Sequence, residues 1–434
     1  MSKIESVSAV EILDSRGRPT LLAFCRLADG VTSQASVPAG ASTGAAEALE
    51  LRDGDPKRHD GLGCLKAVDN IKGEINDALA GRHFASQADL DHFLIELDGT
   101  ANKARLGANA ILGVSLAFCR AQASQRSAPR YAHLAQLAGL RPRLPRPMIN
   151  LFSGGAHAGG QVAIQDVQIV VPVAGSIHQT LEITSEVFRA AFNLVSERYG
   201  MRLLTADEGG LAPPFETSEA MLQAAVEAIE AAGYRPGLDV ALTVDVAASQ
   251  FYANGRYHLD GLSLDASEMI ERIDDWTQRF PLISVEDGLH ESDWVGWQQL
   301  KKRLAGHTLT IGDDLLCTNP ARIRRAIDQQ ACDSLLLKVN QIGTLTEALE
   351  AMRLARKANW QVVVSARSGE TEDDWLADLA VGWAGSYIKV GSITQSERLA
   401  KYNRLLILEA TTDLKLTNLP ARLVSYCNFH RKQT

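Results

Sequence analysis

Apolar and polar positions alternate over residues 4–13 and again over residues 20–28, which predicts two strands. The turn Asp14-Ser-Arg-Gly-Arg-Pro19 lies between them. From about residue 64 onward the spacing of apolar residues becomes helical. Strands followed by helices make an α+β unit. The stretch Leu140-Arg-Pro-Arg-Leu-Pro-Arg-Pro147 carries three prolines and reads as an extended connection. A domain boundary is therefore expected near residues 138–145.

Beyond it one unit recurs: a short apolar run, a polar residue, then a helical pattern. The runs are Leu242–Asp245, Leu282–Glu286, Leu309–Asp313, Leu335–Lys338, Val362–Arg367 and Tyr387–Lys389. Their closing residues follow one another at 41, 27, 25, 29 and 22 positions. A strand, a helix and two loops need about that length. Helix-start signals fall between the runs. Thr318-Asn-Pro320 places a proline in a first turn, and Thr344-Leu-Thr-Glu347 fits a capping box. Leu222, Val226 and Ile229 share a helix face that Gly233 closes. The chain is thus of the α/β class: an N-terminal α+β domain over 1–138, carrying a mobile lid loop at 39–44, and a (β/α)8-type barrel over 139–434.

Composition narrows the function. The chain has 434 residues, 44 Lys plus Arg, 52 Asp plus Glu, and a formal net charge of −8. An acidic balance argues against nucleic-acid binding. No apolar run is long enough for a bilayer, and the first residues lack the apolar core of a secretory signal. Cys25, Cys64, Cys119, Cys317, Cys332 and Cys427 form no paired spacing, so reduced thiols and a cytoplasmic location are expected.

Strand C-terminal ends face the active site of such a barrel. Here they bear Asp245, Glu286, Asp313, Lys338, Arg367-Ser368 and Lys389. Three carboxylates without Cys or His among them suit Mg²⁺. Lys338 is a candidate base. Burial and nearby cations would lower its pKa, neighbouring carboxylates would raise it, and the sequence leaves the balance open. Ala39–Gly44 is small and flexible, as a lid requires. Gly154–Gly160 is a second glycine-rich loop, holding His157. Asp207-Glu208 offers either of two acids before a turn.

Long stretches resemble the enolase family. They include Leu13-Asp-Ser-Arg-Gly17, Gly40-Ala-Ser-Thr-Gly44, Gly107-Ala-Asn-Ala-Ile-Leu-Gly-Val-Ser115, Asp207-Glu-Gly-Gly210, Ser284-Val-Glu-Asp287, Leu337-Lys-Val-Asn-Gln-Ile-Gly343 and Ser368-Gly-Glu-Thr-Glu-Asp373. The resemblance runs from about residue 3 to residue 409. It implies an enolase fold whose barrel starts ββαα. It also implies dehydration of 2-phosphoglycerate to phosphoenolpyruvate with two Mg²⁺ ions, the second arriving with substrate. Asp245, Glu286 and Asp313 match ligands of the first ion, and Ser42 a ligand of the second. Lys338 matches the base and Glu208 the acid-side carboxylate. Arg367 and Ser368 match phosphate contacts, and Lys389 a substrate-carboxylate contact. His157, Gln165 and Asp166 match pocket positions. A homodimer or larger ring is implied, with no nucleic-acid or membrane partner.

Four positions depart from the family pattern. Ala366 stands in place of a histidine, Asp166 of a glutamate, Ala39 of a serine and Val390 of a threonine. The segment after Tyr257-His-Leu-Asp260 is also shorter. Three readings follow: an enolase that tolerates these changes, an enolase-like enzyme of another phospho- or phosphonocarboxylate, such as a carboxyphosphonoenolpyruvate synthase, and a non-catalytic relative.

Overall fold

The computed structural model describes residues 2–41, 43–200, 202, 204–420 and 423. Four strands open the chain: β1 (Ser2–Leu13), β2 (Pro19–Leu27), β3 (Thr32–Ser36) and β4 (His83–Phe84). They pair antiparallel in the order β3-β2-β1-β4. Buried and exposed residues alternate along β1, as a sheet with one covered face requires. The helix Ala108–Gln125, buried along most of its length, packs on β2 and β3. Gly113 makes that approach possible. A Cβ there would lie 2.9 Å from both Ala23 Cβ and Leu21 Cδ1.

The barrel strands are β5 (Arg146–Ser153), β6 (Asp166–Val170), β7 (Ala241–Asp245), β11 (Leu282–Glu286), β12 (Leu309–Gly312), β13 (Ser334–Leu337), β14 (Gln361–Ser365) and β15 (Tyr387–Gly391). Between β7 and β11, a small antiparallel sheet of β8 (Tyr252–Ala253), β9 (Arg256–Leu259) and β10 (Leu262–Leu264) stands apart. The barrel closes in the order β11-β12-β13-β14-β15-β5-β6-β7. All neighbours are parallel except β6, which runs antiparallel to β5 and to β7. Helices Ile177–Tyr199 and Ser218–Ala231 follow β6, so the barrel does start ββαα. Met148, Val170, Ile283, Ile311, Leu336 and Val363 fill its interior, while a larger apolar core lies under the helices. Strands with both faces covered read as unbroken apolar runs, which is why six of them stood out in the sequence.

Local signals fared unevenly. Asn319 caps the helix Pro320–Gln329 with Pro320 in its first turn. Gly233 follows the helix Ser218–Ala231 at φ +85°, as a closing glycine should. Thr344 caps the helix Leu345–Lys357, but the capping box is only half made. The Glu347 carboxylate accepts the Thr344 hydroxyl at 2.6 Å and pairs with Lys103 at 2.9 Å. The proline-rich connection is also shorter than expected, because Arg146 and Pro147 already belong to β5.

His133, on the helix Arg130–Ala138, has no hydrogen-bond partner for either ring nitrogen among the described residues. Burial, with Arg126 adding to it, lowers its pKa from 6.5 to about 4. The unfolded chain therefore binds a proton there that the fold refuses. Stability must fall as pH drops from about 6.5 towards 4. His133→Leu is expected to lose less melting temperature over that interval than the wild type, and equal slopes would show that His133 does not titrate this way.

Candidate active site

Three carboxylates stand on adjacent strands. Asp245 and Glu286 end β7 and β11 and face each other in register. Asp313 follows β12 by one residue. Two lysines divide them. Lys389, on β15, places Nζ 2.7 Å from Asp245 Oδ2 and 2.8 Å from each Glu286 oxygen. Lys338, directly after β13, donates to Asp313 Oδ2. Burial pushes Glu286 well above the usual carboxylate range, and the charges of Asp245 and Asp313 add to the push. Burial alone would lower both lysines. The surrounding carboxylates, Asp313 first and Glu286 after it, together outweigh it at Lys338, and Asp245 with Glu286 outweighs it at Lys389, so both are raised. The balance that the sequence left open at Lys338 therefore falls towards the ammonium.

The opposite wall is built from β5 and β6. Because β6 runs antiparallel, its first residue, Asp166, reaches the same rim as Asp245, the last residue of β7. Ser153 Oγ donates to Asp166 Oδ1 at 2.5 Å. Asn150 Nδ2 donates both to Asp166 Oδ1 at 2.9 Å and to Glu208 Oε2 at 3.1 Å. His157 sits between the two acids, 3.3 Å from Asp166 and 3.9 Å from Glu208, without an aligned hydrogen bond. Burial lowers the imidazole pKa, but Glu208 and Asp166 outweigh it and hold His157 above the ordinary histidine value.

Of the acid pair, Glu208 turns into this cluster, and Asp207 offers its carbonyl to Arg398 at 3.5 Å. Gly391 lets Glu208 come so near β15. At φ +116°, a Cβ there would lie 2.7 Å from the Glu208 carbonyl oxygen. Gln165 joins this wall to the carboxylate floor, donating to Asp245 Oδ2 at 2.9 Å, and Gln250 donates to Gln165 in turn at 2.5 Å.

The third part is an anion corner. Arg367 and Ser368 follow β14 and are buried. Arg367 donates to Glu47 at 3.1 and 3.2 Å and to Asn340 Oδ1 at 3.0 Å. Arg16 holds Ser368 Oγ at 3.1 Å and also the carbonyls of Ala39 and Gly40. A cleft of about 400 Å³ opens here between Gly40, Gly44, Glu47, Asn340 and Arg367. Ala39 exchanges two backbone hydrogen bonds with Gly369 at 2.8 and 2.9 Å, so the lid-side segment is seated on the barrel. Ser42 lies outside the described residues.

The donor set suits a hard divalent cation. The carboxylates are buried, oxygen-only, and already hold ammonium groups where positive charge is needed. As the side chains stand, Asp245, Glu286 and Asp313 are shared between two lysines. Among the described residues, the groups of three candidate ligands whose atoms all lie within 4.8 Å of one another are His157–Asp166–Glu208 and Asp287–Asp313–Asp314. Asp287 is occupied otherwise, since its two oxygens accept the backbone N–H of Asp313 at 2.9 Å and of Asp314 at 2.7 Å.

The departures surround this site. Asp166 is fully buried in the acid cluster. Ala366 directly precedes the anion corner, and its N–H donates to the Lys389 carbonyl at 2.8 Å. The Val390 carbonyl accepts from Arg398 at 3.1 Å. Asn150, Ser153, Glu47 and Arg16 are parts of the site that the sequence reading did not single out. A lone polar residue in the apolar run Pro147–Phe152 was the available signal for Asn150.

No helix among the described residues is long and apolar enough to cross a membrane. Residues 4–134 match the enolase N-terminal domain, and residues 142–416 match the enolase C-terminal TIM barrel domain. The two matches follow in order and span nearly the whole chain, with the acidic floor, lysines and anion corner inside them. The chain belongs to the enolase family and is an enolase-type hydro-lyase.

Proposed function

We propose that the protein removes the proton next to a substrate carboxylate and expels the neighbouring hydroxyl, converting 2-phosphoglycerate to phosphoenolpyruvate. One observation carries this reading. In the closed barrel β13 and β6 lie four strands apart in either direction, so Lys338 and the Asp166–His157–Glu208 cluster face each other across the carboxylate floor. A base on one wall and acids on the other suit a proton leaving one carbon while a hydroxyl leaves the next.

Asp245, Glu286 and Asp313 would hold Mg²⁺, with Ser42 proposed for a second ion. Bound there, the metal supplies the positive charge that makes a carbanion beside a carboxylate accessible, the known pattern of lysine-plus-magnesium sites in this superfamily. Lys338 is assigned as base from its place at the end of β13; with Mg²⁺ on Asp313, the carboxylate that now keeps Lys338 protonated would be taken up and the neutral amine favoured. Arg367 and Ser368 orient the phosphate, and Glu208, fixed by Asn150, serves the leaving hydroxyl. Lys389 meets the substrate carboxylate in exchange for its present carboxylate partners. Formation of phosphoenolpyruvate, followed in the ultraviolet, is expected with Mg²⁺ and should stop on adding EDTA. Absent turnover in a protein that binds Mg²⁺ would refute 2-phosphoglycerate as the substrate.

A second reading has its own support. Ala366 removes bulk next to Arg367-Ser368, and Asp166 shortens an acid that is buried against Ser153 and Asn150. Both changes make room while base, floor and anion corner stay, which fits another phospho- or phosphonocarboxylate. On that reading Ala366→His with Asp166→Glu raises turnover of 2-phosphoglycerate. No gain, in a folded variant that still binds metal, would rule out these two positions as the specificity switch.

A further inference from the structure

The one-turn helix Val339–Ile342 begins directly after Lys338 and presents Gln341, which is 1 % exposed. Its side chain reaches three groups. Nε2 donates to Asp313 Oδ1 at 2.8 Å and more weakly to Glu47 Oε1 at 3.4 Å. Oε1 accepts the Thr318 hydroxyl at 2.8 Å. That hydroxyl oxygen in turn accepts the backbone N–H of Lys338 at 2.9 Å. The Gln341 carbonyl takes the N–H of Ala48 at 2.7 Å. Glu47 belongs to the lid-side segment, where it also accepts the Gly44 N–H at 3.1 Å and grips Arg367.

One buried amide thus touches the lid-side segment, a floor carboxylate and, through Thr318, the backbone of the lysine. An amide suits this place because it both donates and accepts. It occupies one Asp313 oxygen and leaves the other turned to Lys338. Outer partners of this kind orient metal-binding carboxylates and set their affinity.

We propose that Gln341 is a positioning residue: it couples seating of the Gly44–Ala48 segment to the orientation of Asp313 and, through Thr318, to Lys338. The inference rests on the proposed roles of Asp313 and Lys338 in the reaction above. It adds that cation binding at the floor and ordering of the lid-side segment are one linked event.

The test is Gln341→Met, which keeps the volume and loses all three side-chain hydrogen bonds. Calorimetric titration with Mg²⁺ alone is expected to show affinity weakened about 10- to 100-fold. Hydrogen exchange read by mass spectrometry should slow over residues 44–48 when the wild type binds Mg²⁺. In the variant, exchange there should no longer respond, even at saturating Mg²⁺. Should Gln341→Met fail to fold, Gln341→Asn keeps an amide but is one carbon too short to span Asp313 and Thr318, and the same two changes are expected. Unchanged Mg²⁺ affinity in a folded variant overturns the proposal, and so does a variant whose exchange over residues 44–48 still slows at saturating Mg²⁺, or a wild type in which it never slows. Neither readout uses a substrate, so its failure is separable from failure of the proposed reaction.

Discussion

Lys338→Ala is expected to abolish exchange of the substrate α-hydrogen with solvent and to lower turnover by about 10²–10⁴-fold or more. Lys338 is the ammonium seated on Asp313 at the rim of β13. Lys389 cannot replace it, because it stands two strands further round the barrel, on β15, and is assigned to the substrate carboxylate. The nearby arginine, Arg367, is committed to Glu47 and Asn340, and a guanidinium does not act as a base at ordinary pH. Persistent exchange in a folded Lys338→Ala protein would take the base assignment away from this residue. The variant also leaves Asp313 without its ammonium, so Mg²⁺ affinity should be measured alongside, to separate loss of the base from loss of the metal.

Glu208→Gln separates the two halves of the reaction. The substitution keeps size and the capacity to accept from Asn150 Nδ2, now 3.1 Å away. It removes the carboxylate charge that raises the His157 pKa, and with it the capacity to pass a proton on to the leaving hydroxyl. Turnover is expected to fall by about 10²–10⁴-fold while α-hydrogen exchange continues, because the Lys338 wall is untouched. Equal loss of exchange and turnover would mean that Glu208 is needed before the hydroxyl leaves, and its assignment to the leaving-group side would be wrong.

Much of this arrangement was legible in the chain. Parallel strands covered on both faces appear as apolar runs, and Asp245, Glu286, Asp313 and Lys338 stand where such runs stop. The first two barrel strands were not picked out. Pro147 and Asn150 interrupt β5, and Asp166 and Gln168 interrupt β6, so neither shows an unbroken run. Two of those interruptions, Asn150 and Asp166, are hydrogen-bonded to each other in the candidate site, and Asn150 also reaches Glu208. Partnerships were also hidden. Nothing local says that Lys338 takes Asp313 while Lys389 takes Asp245 and Glu286, because the choice depends on strand order around a closed barrel. Glu47 and Arg367 lie 320 positions apart, and only the packing of the first sheet's loops on the barrel rim brings them together. Ser42, expected at the second cation, lies outside the described residues.

The proposed reaction takes the proton beside the carboxylate of 2-phosphoglycerate and expels the neighbouring hydroxyl. Nuclear magnetic resonance of 2-phosphoglycerate with the wild-type protein in heavy water follows both events at once. With Mg²⁺, deuterium is expected at C2 of the remaining substrate while vinyl signals of phosphoenolpyruvate grow in, both silenced by EDTA. A protein that binds Mg²⁺ yet shows neither deuterium at C2 nor vinyl signals would contradict it.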